Sequence, residues 1–210
     1  MTPEKIFDTL FDTYPALLPC KNDIASAYSL LLNAAKQKAL IMVCGNGGSA
    51  ADSEHIVGEL MKGFNLSRPL SEQEKAAFSK LEEGMDIAGK LQGAIRAVSL
   101  VSQSGLISAF ANDIDASLVF AQQVWGYADS PDDVLIALST SGNSKNVVNA
   151  AKTAKAKGIK TLALTGMRDS RLSALADVTV KLPAATPFEV QEYTLPVYHA
   201  LCAMLEAEMF

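Results

Sequence analysis

The residues most able to do chemistry are a histidine and a glutamate four positions apart, His55 and Glu59. The segment from about Ala50 to Met61 is predicted to be a helix, and in a helix this spacing places both side chains on one face. An imidazole beside a carboxylate can transfer protons or bind a metal ion. A lone helical histidine is more often packed or solvated, so the role of the pair depends on what else reaches it.

A glycine-rich turn, Gly45-Asn46-Gly47-Gly48-Ser49, leads into this helix from the apolar run Leu40 to Cys44. The run predicts a strand, so the turn joins a strand to a helix N-terminus. Backbone N–H groups at such a junction hold anions. The pattern is typical of a sugar-phosphate site with reactive side chains directly downstream.

A second candidate anion loop, Ser139-Thr140-Ser141-Gly142-Asn143-Ser144, follows the apolar run Val134 to Leu138 and precedes a helix near Lys145. Its hydroxyls can donate to phosphate oxygens, although an ordinary capped helix start has the same residue types. Ligands of parallel sheets bind at the carboxyl ends of strands, so the two loops are expected to converge. Neither loop has the spacing of a nucleotide phosphate loop or of a dinucleotide fingerprint, which makes nucleotide binding the weaker interpretation.

The second and last histidine, His199, lies eight residues after Gln191 in the predicted C-terminal helix. Eight residues give a net rotation of about 80°, so both side chains can reach one side of the helix. If that helix crosses the first, the four residues form a cluster with donors suited to Zn²⁺. The predicted metal set is therefore His55, Glu59, Gln191 and His199.

Five short apolar runs separated by helical patterns indicate a doubly wound α/β domain with a five-stranded parallel sheet. The predicted strands are Ala39–Cys44, Ala94–Val101, Val134–Ser139, Lys160–Thr165 and Val178–Leu182. Two helices are predicted to precede the sheet within residues 1–38. The last helix is expected to begin at a Thr186-Pro187-x-Glu189 cap, to kink at Pro196 and to end near Glu208.

A polar segment, residues 68–93, interrupts the path from the first site helix to the second strand. Its Ser71-x-x-Glu74 pattern is a capping box, which predicts one or two exposed helices. A lid, a subunit contact and a neutral surface excursion are all compatible with this pattern.

The composition predicts one cytoplasmic globular domain, residues 1–210, with 49% apolar and 20% charged residues. A formal charge of −5 argues against a nucleic-acid-binding surface. The start of the chain lacks a secretory pattern, and no apolar run reaches the length of about 18 residues that indicates a membrane span. The three cysteines lie among apolar neighbours and are predicted to be reduced core thiols: Cys20, Cys44 and Cys202.

Nearly the whole chain, apart from roughly residues 71–92, resembles the sugar isomerase (SIS) domain family. The resemblance is carried by the two loops, by His55-x-x-x-Glu59, by Phe110-Ala111-Asn112-Asp113, by Leu164-Thr165-Gly166 and by Gln191-Glu192 with His199. The set His55, Glu59, Gln191 and His199 is most similar to that of the phosphoheptose isomerases. This implies an aldose–ketose isomerase that acts on sedoheptulose 7-phosphate, for heptose supply to surface polysaccharide.

The resemblance also implies the role of each site residue. Glu59 would be the general base and His199 the general acid, with His55 and Gln191 completing a zinc site between subunits of a homotetramer. The substrate would contact Asn46, Gly47, Gly48, Ser49, Asp113, Ser139, Thr140, Ser141, Ser144 and Gln191. Two positions depart from the family pattern, because Gly63 replaces an arginine and Phe188 replaces an aspartate.

A different class of SIS protein is the alternative. Sugar-phosphate sensors and assembly factors that bind a replication initiator keep the fold and lose the acid and the base. This chain keeps Glu59 and His199, which favours the enzyme.

Overall fold

The computed structural model describes residues 1–210. Its core is a five-stranded, fully parallel sheet with the strand order β2-β1-β3-β4-β5. Residues of β1 and β3 are buried throughout, as expected for strands covered on both faces. The predicted fold is therefore confirmed. The strands are β1 (Ile41–Cys44), β2 (Ala97–Ser99), β3 (Val134–Leu138), β4 (Lys160–Gly166) and β5 (Val178–Leu182).

Nine α-helices surround the sheet, and most of them pack on its two faces. One apolar cluster joins the sheet to α1, α2, α3 and α9, and a second joins it to α7 and α8. The helices are α1 (Pro3–Thr13), α2 (Lys21–Lys36), α3 (Gly48–Met61), α4 (Glu72–Ala76), α5 (Gly84–Lys90), α6 (Ser104–Phe110), α7 (Val119–Tyr127), α8 (Lys145–Lys157) and α9 (Pro187–Met209). None of them is long and apolar enough to span a bilayer.

Strand β2 is shorter than predicted because the residues before it bond elsewhere. The backbone N–H of Ile95 donates to the carbonyl of Leu60 at 3.0 Å, and that of Gly93 donates to Arg68 at 2.7 Å. These two N–H groups therefore form hydrogen bonds with the end of α3 and with the segment after it. Pairing with β1 therefore begins only at Ala97.

The predicted helix signals at both ends of the chain are present. Two helices precede the sheet, joined by a 3-10 turn at Pro15–Cys20. Helix α9 begins at Pro187, where the Glu189 carboxylate accepts a hydrogen bond from the Thr186 backbone N–H at 3.3 Å. Pro196 lies inside α9 and is buried, whereas the kink expected there stays a prediction. The three cysteines are free and buried, as expected.

The polar segment between α3 and β2 contains two short helices, in agreement with its sequence. Ser71 caps α4, and its backbone N–H donates to the Glu74 carboxylate at 2.8 Å. The two ends of the segment are joined by an antiparallel bridge between Pro69 and Gln92. Residues 69–92 thus leave and rejoin the domain at one place.

A buried ion pair anchors the start of this segment to α9. Arg68 Nε donates to Glu206 Oε1 at 2.8 Å, and the side chains are 0% and 1% exposed. The remaining donors of Arg68 bind the carbonyls of Glu59 and Leu60 at 3.0 and 2.9 Å. The C-terminal end of α3, including Glu59, is therefore tied to α9 through one arginine.

Candidate active site

The two predicted anion loops lie side by side at the carboxyl edge of the sheet. Strands β1 and β3 pair directly, and their connections leave on opposite faces, which is where such sheets bind ligands. The side-chain amide of Asn46 in the first loop forms two reciprocal hydrogen bonds of 2.9 Å with that of Asn146, in the first turn of α8 directly after the second loop. The expected convergence of the loops is thus present in the fold.

The first loop needs glycine at positions 47 and 48 for two different reasons. Gly47 has a φ of +57°, a conformation that L side chains rarely adopt. A Cβ at Gly48 would stand 2.7 Å from the Gln191 side-chain nitrogen, so helix α9 packs directly on this turn. Ser49 follows at the start of α3 and is 5% exposed. Asn46, Gly47, Gly48 and Ser49 therefore form one continuous polar edge beside the N-terminus of α3.

The second loop is held by hydroxyl contacts within itself. Ser139 Oγ donates to Ser144 Oγ at 3.2 Å, and Ser141 Oγ accepts from the Asn143 backbone N–H at 3.2 Å. The N–H groups at the start of α8 lie directly after Ser144. Together with Thr140, these serines can donate to several oxygens of one phosphate group.

Replacing Gly142 with Ala is expected to distort this loop. Gly142 has a φ of +62°, and an added Cβ would lie 2.1 Å from Ser170 Oγ. Strain of this kind costs roughly 1–3 kcal/mol, so we expect a lower Tm and a higher KM for a phosphosugar. Gly126→Ala is the matched control, because this α7 glycine has open space around it. An unchanged KM in Gly142→Ala would contradict the loop's predicted role.

His55, Glu59 and His199 meet where α9 crosses α3. His55 Nε2 lies 3.1 Å from Glu59 Oε1 and 3.5 Å from His199 Nε2. The Glu59 side chain is 11% exposed, and its second oxygen lies 3.3 Å from Lys62 Nζ. Burial and the neighbouring His55 lower the pKa of His199, and Glu59 opposes this shift. A carboxylate and two imidazoles are thus assembled for proton transfer or cation binding.

Gln191 does not join this cluster. It packs against Gly48 instead, at the other end of α3. The rotation between Gln191 and His199 does place them on one side of α9, but eight residues also raise the helix by about 12 Å along its axis. One ion therefore cannot bind both side chains of a single chain. The four predicted ligands fall into two groups, one at the phosphate turn and one at the imidazoles.

Asp113 lies in a single π-helical turn, Ala111–Asp115, between α6 and α7. Its carboxylate accepts a hydrogen bond from the neighbouring Asn112 at 2.8 Å and makes no contact with the glycine turn. Ala111 and Ala116, on either side of it, line a cavity of about 330 Å³ together with Asn46 and Gly47. The aspartate is thus near the predicted sugar path without touching the residues of that turn.

A zinc site requires about four donor atoms around one point. No group of three or more His, Cys, Asp or Glu side chains in the structure is arranged so that it could hold a metal ion. The two Nε2 atoms are nevertheless 3.5 Å apart, close to the roughly 3.4 Å that separates two nitrogens bound tetrahedrally to one Zn²⁺. The donor types of His55, Glu59 and His199 and the spacing of the two imidazoles suit zinc, but one chain alone does not arrange three of these side chains around a metal ion.

Two residues near the site were not predicted from the sequence: Tyr198, which contacts His55, and Asp52, which contacts Tyr198. The Tyr198 hydroxyl lies 2.9 Å from His55 Nδ1 and donates to Asp52 Oδ1 at 3.3 Å. Burial and the Asp52 carboxylate raise the pKa of Tyr198, which keeps its hydroxyl protonated. Asp52 is three residues before His55 on the same face of α3, and Tyr198 is next to His199 in sequence. These spacings were the sequence signal that could have identified both residues as neighbours of the site.

The positions that depart from the family pattern lie at opposite ends of the site. The Gly63 N–H donates to Gln92 Oε1 at 2.6 Å, and the adjacent Lys62 supplies the cation beside Glu59. Phe188 is 62% exposed in the first turn of α9.

Comparison with known proteins agrees with the fold and identifies the family. Profiles of the SIS domain match residues 19–98 and 115–207, which identifies the class. A phosphoheptose isomerase from Akkermansia muciniphila is 32% identical over 95% of this chain and 92% of its own. One from Nitratiruptor is 33% identical over 98% of this chain and 91% of its own. The chain belongs to the phosphoheptose isomerase family.

A solved structure extends the likeness to three dimensions. The phosphoheptose isomerase of Neisseria gonorrhoeae has a TM-score of 0.73 and 26% identity, covering 97% of this chain and 98% of that one. The likeness therefore spans nearly the whole of both chains.

Proposed function

We propose that this protein is an aldose–ketose isomerase that converts sedoheptulose 7-phosphate to D-glycero-D-manno-heptose 7-phosphate. The observation that carries the proposal is the meeting of His55, Glu59 and His199 in a chain that matches phosphoheptose isomerases over nearly its whole length. The two polar loops supply the second requirement, a place for the phosphate. A non-catalytic sensor or assembly factor has no need of the carboxylate and imidazoles.

The reaction moves a proton between C1 and C2, and this chain supplies a base and an acid for it. Glu59 removes a C1 proton of the ketose as the C1–C2 double bond forms, and the former carbonyl oxygen on C2 takes a proton from His199. The resulting enediol then returns its O1 proton to His199. C2 takes the proton held by Glu59, which leaves the aldose carbonyl at C1.

The loops contribute by holding the end of the substrate that does not react. Ser49, Ser139, Thr140, Ser141 and Ser144 would donate to the phosphate, while Asn46, Gly47, Gly48 and Asp113 face the sugar. Binding energy from the phosphate fixes the reacting carbons against Glu59, so it contributes to the rate as well as to affinity.

His55, Glu59 and His199 would hold Zn²⁺, and the fourth ligand would be Gln191. Glu59 and His199 would then alternate between binding the metal and carrying a proton. When zinc is bound, the chemistry it supplies is polarisation of the carbonyl oxygen. Because Gln191 and His199 are separated by about 12 Å along α9, Gln191 would come from a second copy of the chain. This separation supports a site between subunits, for which we propose a homotetramer. Mass measurement in solution tests it, and a monomer would contradict it. We also propose a cytoplasmic location.

Turnover of the substrate tests the function directly. The protein is incubated with sedoheptulose 7-phosphate, and the aldose heptose product is followed by chromatography or by a coupled kinase. We expect formation of the aldose heptose 7-phosphate and, in D₂O, deuterium at its C2 in those turnovers in which the proton held by Glu59 exchanges with solvent before it reaches C2. Binding of the sugar phosphate without any product would contradict the isomerase and favour the sensor.

Metal content tests the zinc proposal separately. We expect about one zinc per chain and loss of the metal in His55→Ala, because an imidazole nitrogen is a principal ligand. Glu54→Ala is the control, since Glu54 lies on the same helix and binds Ser102 instead. Full activity in metal-free protein would show that zinc is not required.

A further inference from the structure

We propose that Tyr198 is a positioning residue that holds His55 in the tautomer protonated at Nδ1, so that Nε2 offers its lone pair to the site. The use of Nε2 rests on the proposed function, whereas the tautomer is a property of the chain itself. The carrying observation is that one buried hydroxyl lies between Asp52 and His55, at 3.3 and 2.9 Å.

The direction of these hydrogen bonds follows from counting protons. A carboxylate only accepts, and a phenol has a single proton to donate. Hydrogen bonds to ionised acceptors are stronger than those to neutral ones, so the Tyr198 proton belongs to Asp52. With this assignment the Tyr198 oxygen presents its lone pairs to His55 Nδ1, which carries the imidazole proton. The competing arrangement has Tyr198 donating to Nδ1 and Nε2–H donating to Glu59, and measurement of the tautomer distinguishes the two.

The opposite ring nitrogen is thereby left as an acceptor. His55 Nε2 faces Glu59 Oε1 at 3.1 Å and His199 Nε2 at 3.5 Å. Two acceptors at 3.1 Å repel each other unless a proton or a cation lies between them. Tyr198 therefore prepares this face of His55 for a positive species, in the manner of outer-shell groups that orient metal-binding histidines.

The position of Tyr198 is well fixed. The residue is 2% exposed, and its ring makes edge contacts with His55 and with His199, at centroid distances of 5.5 and 4.9 Å. Because the ring is packed in the core, removal of the hydroxyl alone leaves these contacts. Tyr198→Phe therefore isolates the hydrogen bond from the packing.

The tautomer is measured by long-range ¹H–¹⁵N correlation spectra of metal-free protein labelled at histidine, at a pH where the rings are neutral. With only two histidines in the chain, His199→Gln assigns the signals. We expect wild-type His55 to be protonated at Nδ1, and Tyr198→Phe to shift protonation toward Nε2, where Glu59 accepts. The control is Tyr193→Phe, the same change on the same helix at a residue that does not contact His55. Protonation at Nε2 in the wild type, or an unchanged tautomer in Tyr198→Phe, would overturn the inference.

Zinc affinity, measured with the metal alone by chelator competition, gives the second readout. We expect Tyr198→Phe to bind zinc roughly 10–100-fold more weakly, with Tyr193→Phe unchanged. Equal affinities would contradict the positioning role. A wild type that binds no zinc would contradict the metal proposal of the preceding section, while the tautomer in the metal-free protein would still decide this one.

Discussion

Glu59→Gln is expected to lower kcat by about 10²- to 10⁴-fold, which is the usual contribution of a positioned general base. The substitution keeps the shape of the side chain and removes its ability to take a proton. Glu59 is the one carboxylate in contact with both His55 and Lys62, and it is largely shielded from water. Steady-state kinetics with sedoheptulose 7-phosphate measures the loss. KM is expected to change little, because the phosphate loops are untouched.

The matched control is Glu54→Gln, the same change on the same helix. Glu54 is exposed and accepts a hydrogen bond from Ser102 at 2.8 Å, away from the imidazoles. We expect near wild-type kcat in this variant, and an unchanged Tm in both variants. Equal turnover by Glu59→Gln and the wild type would remove Glu59 as the base. Deuterium incorporation at C2 should disappear together with activity.

Glu206→Ala is expected to destabilise the fold by about 3–5 kcal/mol, the range for a buried charge left without its partner. Arg68 is fully buried and would keep its charge with no carboxylate beside it. Glu206 also accepts hydrogen bonds from the backbone N–H groups of Phe64, Asn65 and Leu66, at 2.7–3.0 Å. Denaturant unfolding measures the loss.

Glu208→Ala is the control, two residues further along α9. Glu208 pairs with Lys36 at 2.9 Å on the surface, and exposed pairs contribute about 1 kcal/mol or less. Should Glu206→Ala fail to fold, Glu206→Gln removes the charge and keeps the shape. A loss below about 1 kcal/mol in either Glu206 variant would contradict the structural role of the pair. Activity should fall as well, because Arg68 also binds the carbonyl of Glu59.

The same pair predicts how stability responds to acid. Burial raises the pKa of Glu206, but the N–H groups of Phe64 and Asn65 and the charge of Arg68 outweigh it and leave the pKa below 4.5, its ordinary value. A carboxylate with a lowered folded pKa stabilises the protein above its unfolded value and loses this contribution as the pH falls. The stability difference between wild type and Glu206→Gln should therefore shrink below about pH 4.5.

Local patterns were sufficient for much of the fold. Apolar runs located all five strands, and the range Val178–Leu182 agrees at both ends. The Ser71 and Thr186 caps were readable because their partners are only three residues away. The predicted range of β2 is too long at its start. The carbonyls of Leu60 and Arg68, which are distant in sequence, accept hydrogen bonds from the backbone N–H groups of Ile95 and Gly93 in place of a strand partner.

The candidate site was predictable in its residue types and less so in its grouping. The helical spacing correctly places Gln191 and His199 on one side of α9. It does not take account of the rise along the helix axis, and this rise separates the two side chains. The Arg68–Glu206 pair spans 138 residues and leaves no local trace. Tyr198 was overlooked because an apolar helix position explains a tyrosine equally well until its hydroxyl is seen between Asp52 and His55.

The bridge between Pro69 and Gln92 has a consequence for how this chain and its relatives can diverge. Because the ends of the segment are bonded to each other, its length is decoupled from the positions of α3 and β2. The entropic cost of closing a loop rises only slowly with its length. We therefore expect the segment 69–92 to tolerate extension, deletion or exchange. New recognition surfaces can thus be added by insertion without moving α3, the helix that carries Glu59.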